Sequence, residues 1–156
     1  MRIVFWAGFW TFLIDQATKY AVVHWMGLMT RQEIDILPPF MVFQMAWNRG
    51  VNFGLGAQAD MRWWLVGVAL VISGVVLFWL WRSGGTKWIQ ISAGLLVGGA
   101  LGNVVDRILY GAVADFINMS CCGIRNPFAF NVADVAIFAG ALGLAFLPNP
   151  ATKKAG

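Results

Sequence analysis

The run from Trp63 to Trp81 constrains the fold most, because its nineteen residues carry no charge and a single small polar side chain, Ser73. About 20 apolar residues in an α-helix cross the ~30 Å hydrocarbon core of a bilayer. Tryptophans stand at both ends of the run, as is typical of the two membrane–water interfaces. We therefore expect this chain to fold in a membrane.

Composition agrees with that interpretation. The chain has 156 residues, of which 60% are hydrophobic and 12% charged, whereas a soluble domain has roughly 25% charged residues. The formal net charge of +4 does not predict a nucleic-acid partner, because several cations lie at the chain ends or in one short loop without a neighbouring acid. Such clusters are typical of the cytoplasmic side of a membrane protein. These cations are Arg2, Arg82, Lys87, Lys153 and Lys154.

Three further apolar runs complete the predicted architecture. We expect an all-α membrane protein that forms a single integral membrane domain over residues 1–156. Its four transmembrane helices are predicted at about residues 3–26, 63–81, 88–108 and 132–147, with outer loops at 27–60 and 109–131. Gly94, Gly98 and Gly102 recur every four residues, which predicts close helix packing along one face of the third span.

The first outer loop is predicted to form a small extracytoplasmic β-sheet. Glu33 to Ile36 alternates polar and apolar residues, which indicates a half-buried strand. Met41 to Trp47 is predicted as a second strand, and the residues after it supply turn chemistry. A short interfacial helix is expected from Gly54 to Asp60.

Two acids, Asp115 and Asp134, bracket the second outer loop, and each lies beside a hydrophobic segment. An acid at a bilayer boundary costs free energy, so each is a functional candidate. If two carboxylates lie close together they share one proton, which provides an acid and a base at the same pH. An anion in the first turn of a helix is favoured, which suggests Asp134 as the base and Asp115 as the acid.

Structural roles are the alternatives for several of these residues. Asn131 and Asp134 also suit the N-terminus of a helix. Asp15 and Lys19 lie four apart on one helix face and can form an ion pair that only holds helices together. At the level of function, the alternatives are a proton-coupled transporter or channel with a relay of these carboxylates, and a structural helper subunit.

Other catalytic and metal chemistries are not expected. His24 is the single histidine, so a Ser-His-Asp triad has one candidate base, at the outer end of the first span. Cys121 and Cys122 are adjacent, and neighbouring Cα atoms ~3.8 Å apart are too close for an ordinary disulfide. With one histidine and no separated cysteines, neither a zinc site nor another cofactor is predicted.

Five motifs, in order from the first span to the fourth, resemble those of the bacterial lipoprotein signal peptidases, the signal peptidase II family. The motifs are Asp15-Gln16-Ala17-Thr18-Lys19, Asn48-Arg49-Gly50-Val51-Asn52-Phe53-Gly54, the segment 98–107 (GGALGNVVDR), Val113-Ala114-Asp115-Phe116 and Phe130-Asn131-Val132-Ala133-Asp134. Asn52 departs from the resemblance, since the family usually has a small residue there.

The resemblance implies a four-span aspartyl peptidase of the bacterial inner membrane, with its active site at the extracytoplasmic face. It implies a lipid-modified prolipoprotein substrate that is cut before the diacylglyceryl-cysteine, contact with membrane lipid, inhibition by globomycin-type compounds and a monomeric enzyme. Asp115 and Asp134 map onto the catalytic pair. The positions that support the site or bind substrate are Asp15, Lys19, Asn48, Gly50, Asn103, Arg107 and Asn131.

Overall fold

The computed structural model describes residues 1–50, 61–120 and 126–148. The elements in chain order are α1 (Arg2–Tyr20), a π-helical turn (Ala21–Trp25), α2 (Leu28–Arg31), β1 (Glu33–Leu37), β2 (Met41–Asn48), α3 (Arg62–Ser83), α4 (Lys87–Tyr110), β3 (Val113–Met119) and α5 (Val132–Phe146). The predicted interfacial helix at residues 54–60 and the pair of cysteines lie outside the described residues.

Each of the four apolar runs forms a helix close to its predicted bounds. Among the described residues, α3 and α4 are long and apolar enough to cross a membrane by length and composition, and α5 is a shorter apolar helix. α1 carries Arg2, Asp15 and Lys19, and the π-helical turn continues it to Trp25. The total of four spans therefore stays a prediction.

Helix α4 lies at the centre of the bundle, with α1 on one side and α5 on another. Its glycines permit the close approach that their spacing predicts. A Cβ at Gly94 would lie 2.8 Å from the carbonyl oxygen of Val4, and a Cβ at Gly99 would lie 2.6 Å from that of Ala133. Backbones at such distances leave no room for a side chain, so these glycines bring the polar residues of three helices together.

The sheet has the antiparallel order β1-β2-β3. The first two strands confirm the prediction for the first outer loop, although β2 extends one residue further, to Asn48. The third strand, Val113–Met119, lies within the predicted second outer loop, where no strand was predicted. Most of its residues are buried, so its sequence lacks the alternation of a half-buried strand.

A small apolar core fixes the sheet to the end of α1. Val22 of the π-helical turn, Leu28 of α2 and Phe116 of β3 are buried together. The ring of Phe43 from β2 meets Phe116 edge-on, with the centroids 5.5 Å apart. Because Phe116 is 2% exposed, this core holds the neighbouring residue, Asp115, in place.

Candidate active site

The two carboxylates predicted to form a pair meet at one asparagine. Asp115 lies in β3, and Asp134 lies in the first turn of α5. The side-chain amide of Asn131 donates to Asp115 Oδ1 at 2.6 Å, and its backbone N–H donates to Asp134 Oδ2 at 3.2 Å. Asn131 is fully buried. The structure thus brings together two acids that are distant in sequence and binds both to one residue.

Asn131 and Asp134 also form a capping box, as the structural alternative predicts. Asn131 is the N-cap of α5, and its Oδ1 accepts a hydrogen bond from the backbone N–H of Asp134 at 2.9 Å. This arrangement fixes the carboxylate of Asp134 in the first helical turn, where backbone N–H groups favour an anion. Capping and a role in the site are therefore compatible in this geometry.

Two further amides bind the remaining carboxylate oxygens. Asn48 Nδ2 donates to Asp115 Oδ2 at 3.1 Å, and Asn103 Nδ2 donates to Asp134 Oδ1 at 2.9 Å. Gly50 adopts φ 133°, and its N–H donates to Asn48 Oδ1 at 3.1 Å, so it turns the NH₂ group of Asn48 towards the acid. The amides of Asn48 and Asn103 thus hold the carboxylates themselves, which agrees with the first of the two roles, site support or substrate binding, that the resemblance implies for them.

The environment of Asp115 favours its protonated form. Burial, and after it the nearby charge of Asp134, raise the pKa of Asp115 from 3.8 to about 7. Hydrogen bonds from Asn48 and Asn131 and the charge of Lys19 oppose this shift. Desolvation dominates because Asp115 is 3% exposed and a charge there loses its hydration. Asp115 can therefore carry a proton near neutral pH.

Lys19 forms the centre of a buried ion cluster that lies beside the two acids. Its Nζ lies 2.8 Å from Asp15 Oδ2 and 2.8 Å from Asp106 Oδ2, and it donates to Asn103 Oδ1 at 3.2 Å. The three N–H donors of the ammonium group therefore have three acceptors. The contact with Asn103 accounts for the orientation of that amide, whose NH₂ group faces Asp134. The predicted pair of Asp15 and Lys19 is thus part of a larger cluster.

Two members of this cluster, Asp106 and Gln16, were not predicted as site residues. Gln16 Nε2 donates to Asp15 Oδ2 and to Asp106 Oδ1, each at 3.1 Å. Gln16 falls in the first motif, and Asp106 shares a helix face with Asn103 at a spacing of three. The usable signal was a second acid near the C-terminal end of the third apolar run, for which Lys19 on the first run is a candidate counter-ion.

Arg107 provides a donor without a described partner beside the pair of acids. Its Nη1 donates to the backbone oxygen of Asn103 at 3.3 Å, and its Nε is buried without a hydrogen-bond partner among the described residues. The guanidinium interacts electrostatically with both Asp134 and Asp115. A planar cation with free N–H groups at this place can bind a carbonyl or carboxylate group of a ligand.

The described parts of the chain contain no group of three or more His, Cys, Asp or Glu side chains placed to hold a metal ion. All four oxygens of Asp115 and Asp134 instead accept hydrogen bonds from amide or backbone N–H groups. The arrangement can supply one acid and one base to a reacting group that lies between the two carboxylates.

Comparison with known proteins agrees with the motifs. The family model described as signal peptidase (SPase) II matches residues 8–147. A lipoprotein signal peptidase of Methylobacterium sp. (strain 4-46) is 43% identical over 136 residues, which cover 86% of this chain and 81% of that protein. A lipoprotein signal peptidase of Pseudomonas putida is 37% identical over 143 residues, with 90% and 82% covered.

The fold is also that of a known membrane enzyme. A bacterial membrane enzyme solved by the in meso method at 1.9 Å resolution has a TM-score of 0.79 at 22% identity, over 93% of this chain and 91% of that one. A second such structure, at 2.3 Å resolution, has a TM-score of 0.73 at 23% identity, over 92% and 85%. At these identities the likeness shows a shared fold. Since the family model and the relatives span most of its length, the chain belongs to the signal peptidase II family.

Proposed function

We propose that this protein is an intramembrane aspartyl endopeptidase that removes the signal peptide from lipid-modified prolipoproteins by cutting before the diacylglyceryl-cysteine. The observation that carries the proposal is the pairing of Asp115 and Asp134 through Asn131, with the pKa of Asp115 raised to about 7. The substrate class is supported by relatives that are named lipoprotein signal peptidases.

In this mechanism Asp134 is the base and Asp115 is the acid. Asp134 accepts a proton from a water molecule, whose oxygen attacks the carbonyl carbon of the scissile peptide bond. Asp115 gives its proton to the carbonyl oxygen, which yields a gem-diol. Asp134 then gives its new proton to the leaving nitrogen as the C–N bond breaks, and Asp115 takes a proton back from a hydroxyl of the diol, which restores both acids. The two acids titrate as a coupled pair, so each role describes the dominant form near neutral pH.

Arg107 and the surrounding helices suit a substrate that arrives within the bilayer. The guanidinium can bind a carbonyl of the peptide or of the lipid ester beside the two carboxylates, for example through its Nε–H, which has no hydrogen-bond partner among the described residues. Acyl chains of the substrate would stay among lipid chains against the apolar helices. A globomycin-type inhibitor would occupy the same position as the scissile peptide.

The proposed setting is the bacterial inner membrane, with one integral domain, four spans, a monomeric enzyme and the site at the extracytoplasmic face. The support is that Arg82 and Lys87 flank the connection between α3 and α4, at the end of α4 opposite to Asn103 and Asp106. Cations near short connections are typical of the cytoplasmic side, which supports an extracytoplasmic position for Asp115 and Asp134.

Two conservative substitutions test the proposal. Asp115→Asn and Asp134→Asn should each lower kcat/KM for a synthetic diacylated lipopeptide by about 10²–10⁴-fold, because each removes one of the two proton-transfer groups. Asp35→Asn is the matched control, since Asp35 is an exposed acid on β1. Full cleavage by either of the first two variants would remove the assignment.

No observation favours the transporter or channel. A relay needs ionisable groups that lead through the bilayer, whereas Asp15 and Asp106 pair with Lys19 and accept hydrogen bonds from the residues just before Asp134 and Asp115. Within the described residues, α3 carries no acid, and α5 carries none after its first turn. A proton-flux assay in vesicles should show no flux above that of empty vesicles.

A further inference from the structure

A cavity of about 260 Å³ lies on the side of β2 and β3 that faces away from Asp115. Trp47 and Ala114 are cross-strand partners that line it, whereas Asn48 and Asp115, one position further along each strand, point to the opposite face. Because side chains alternate along a strand, this cavity is separated from the pair of acids by the sheet itself.

The walls of the cavity are aromatic and its floor is the ion cluster. Tyr20, His24, Trp47 and Tyr110 form the walls, and Lys19 is part of the floor. A second cavity of about 260 Å³ shares His24, Trp47 and Tyr110 and includes Arg49 in its lining. We call the two together the aromatic cleft.

A π-helical turn shapes one wall of this cleft. The N–H of Met26 bonds to the oxygen of Ala21 at 2.8 Å, five residues earlier, within the segment Ala21–Trp25. This wider turn places His24 in the wall, where its ring lies 5.4 Å from that of Tyr20. Single π-helical turns are rare and occur frequently at functional sites, and the proposed catalytic mechanism does not use this one.

Arg49 is a charged donor of the cleft that has no partner among the described residues. It is exposed and makes no hydrogen bond or ion pair with any residue that the structure describes. Lys19, by contrast, is satisfied by Asp15, Asp106 and Asn103. A guanidinium with free N–H groups suits a phosphate, which it can bind with two parallel hydrogen bonds.

The position of the cleft indicates a ligand from the membrane. Trp25, beside His24 on the π-helical turn, is 85% exposed, and Tyr20 is 69% exposed. Exposed Trp and Tyr side chains at the end of a membrane helix lie at the level of lipid headgroups. The volume of each cavity is below the ~300–1,000 Å³ of a site for a drug-sized molecule, so a headgroup fits while acyl chains remain in the bilayer.

We propose that the aromatic cleft binds the headgroup of a membrane phospholipid, with its phosphate on Arg49 and the N–H of His24 and its glycerol against Trp47 and Tyr110. This lipid is distinct from the substrate's lipid, because a diacylglyceryl group carries no phosphate. The binding is independent of the peptidase activity and would persist if that activity were absent.

Lipid titration of the purified full chain, followed by native mass spectrometry, tests this inference. Dioleoyl phosphatidylglycerol should bind about tenfold more tightly than dioleoylglycerol, which has the same chains and no phosphate. Arg49→Gln should weaken the binding of phosphatidylglycerol by about tenfold, as expected for the loss of a charged hydrogen bond. Arg82→Gln, an exposed arginine at the other end of the bundle, is the matched control and should bind like the wild type.

Equal binding by wild type and the Arg49→Gln variant, or an equal loss in both arginine variants, would overturn the proposal. Binding of glycerol 3-phosphate as tight as that of the lipid would also overturn it, because the ligand would then come from water. His24→Gln is a second variant. It should weaken the binding of phosphatidylglycerol and leave the binding of dioleoylglycerol unchanged. Arg49 is exposed, so all variants should unfold at the wild-type temperature.

Discussion

Asp106 accepts a hydrogen bond from the backbone N–H of Ala114 at 3.2 Å and thereby fixes the residue that precedes Asp115. Asp15 does the same for Ala133, at 2.9 Å, and so fixes the residue that precedes Asp134. Lys19 binds both Asp106 and Asp15. The ion cluster therefore connects α1 and α4 to the backbone beside each member of the proposed catalytic pair.

Asp106→Asn should destabilise the protein by about 1–3 kcal/mol. The substitution keeps the size of the side chain but removes one of the two carboxylates that pair with the buried ammonium of Lys19. Thermal unfolding of the purified protein in detergent measures the effect. Asp35→Asn, on the exposed strand β1, should change stability by less than about 0.5 kcal/mol. An unfolding temperature for Asp106→Asn equal to that of this control would show that the cluster does not hold the two backbones.

Gly102→Ala should destabilise the protein and lower its activity. A Cβ at this position would collide with the carboxylate of Asp15, which would have to leave Lys19 or Ala133, at a cost of about 1–3 kcal/mol. Gly67→Ala in α3 is the matched control, because a Cβ there has no atom within 4 Å. Since alanine is the better helix former by up to ~1 kcal/mol, this control should be as stable as the wild type or more so. Equal behaviour of both variants would contradict the packing described here.

The stability of the fold should depend on pH through Asp115. Its pKa is raised from 3.8 to about 7 in the folded protein, so the folded state keeps a proton that the unfolded chain loses. The stabilising contribution of this proton is complete below pH 3.8 and is lost as pH rises through about 7. Asp115→Asn cannot titrate there. We therefore expect the difference in unfolding temperature, wild type minus Asp115→Asn, to decrease as the pH is raised from 4 to 8. A difference that increases with pH would contradict the raised pKa.

Local patterns allowed much of this fold to be predicted. The apolar runs determine the helices because each lies in one uninterrupted segment, and the glycine spacing on α4 determines which face packs closely. Strand β3 could not be predicted in the same way. It is buried on both faces, so its sequence shows neither the alternation of a half-buried strand nor the length of a membrane helix.

The residues of the candidate site could be predicted from the sequence better than the contacts between them. The motifs identified Asp115, Asp134 and Asn131, and the i, i+3 spacing placed the last two in one helical turn. The pairing of Lys19 with Asp106 joins residues on two helices, and no local spacing encodes such a contact. For the same reason the sequence could not show that Asn48 and Asn103 bind the carboxylates in the free protein.

The pH dependence of kcat/KM for cleavage of a diacylated lipopeptide tests the central claim most directly. If Asp115 must be protonated while its partner is ionised, the profile is bell-shaped. Its alkaline limb should then fall about tenfold per pH unit above a value near 7, where Asp115 loses its proton. A rate that stays flat from acid to alkaline pH would contradict the shared proton and, with it, the assignment of Asp115 and Asp134 as a catalytic pair.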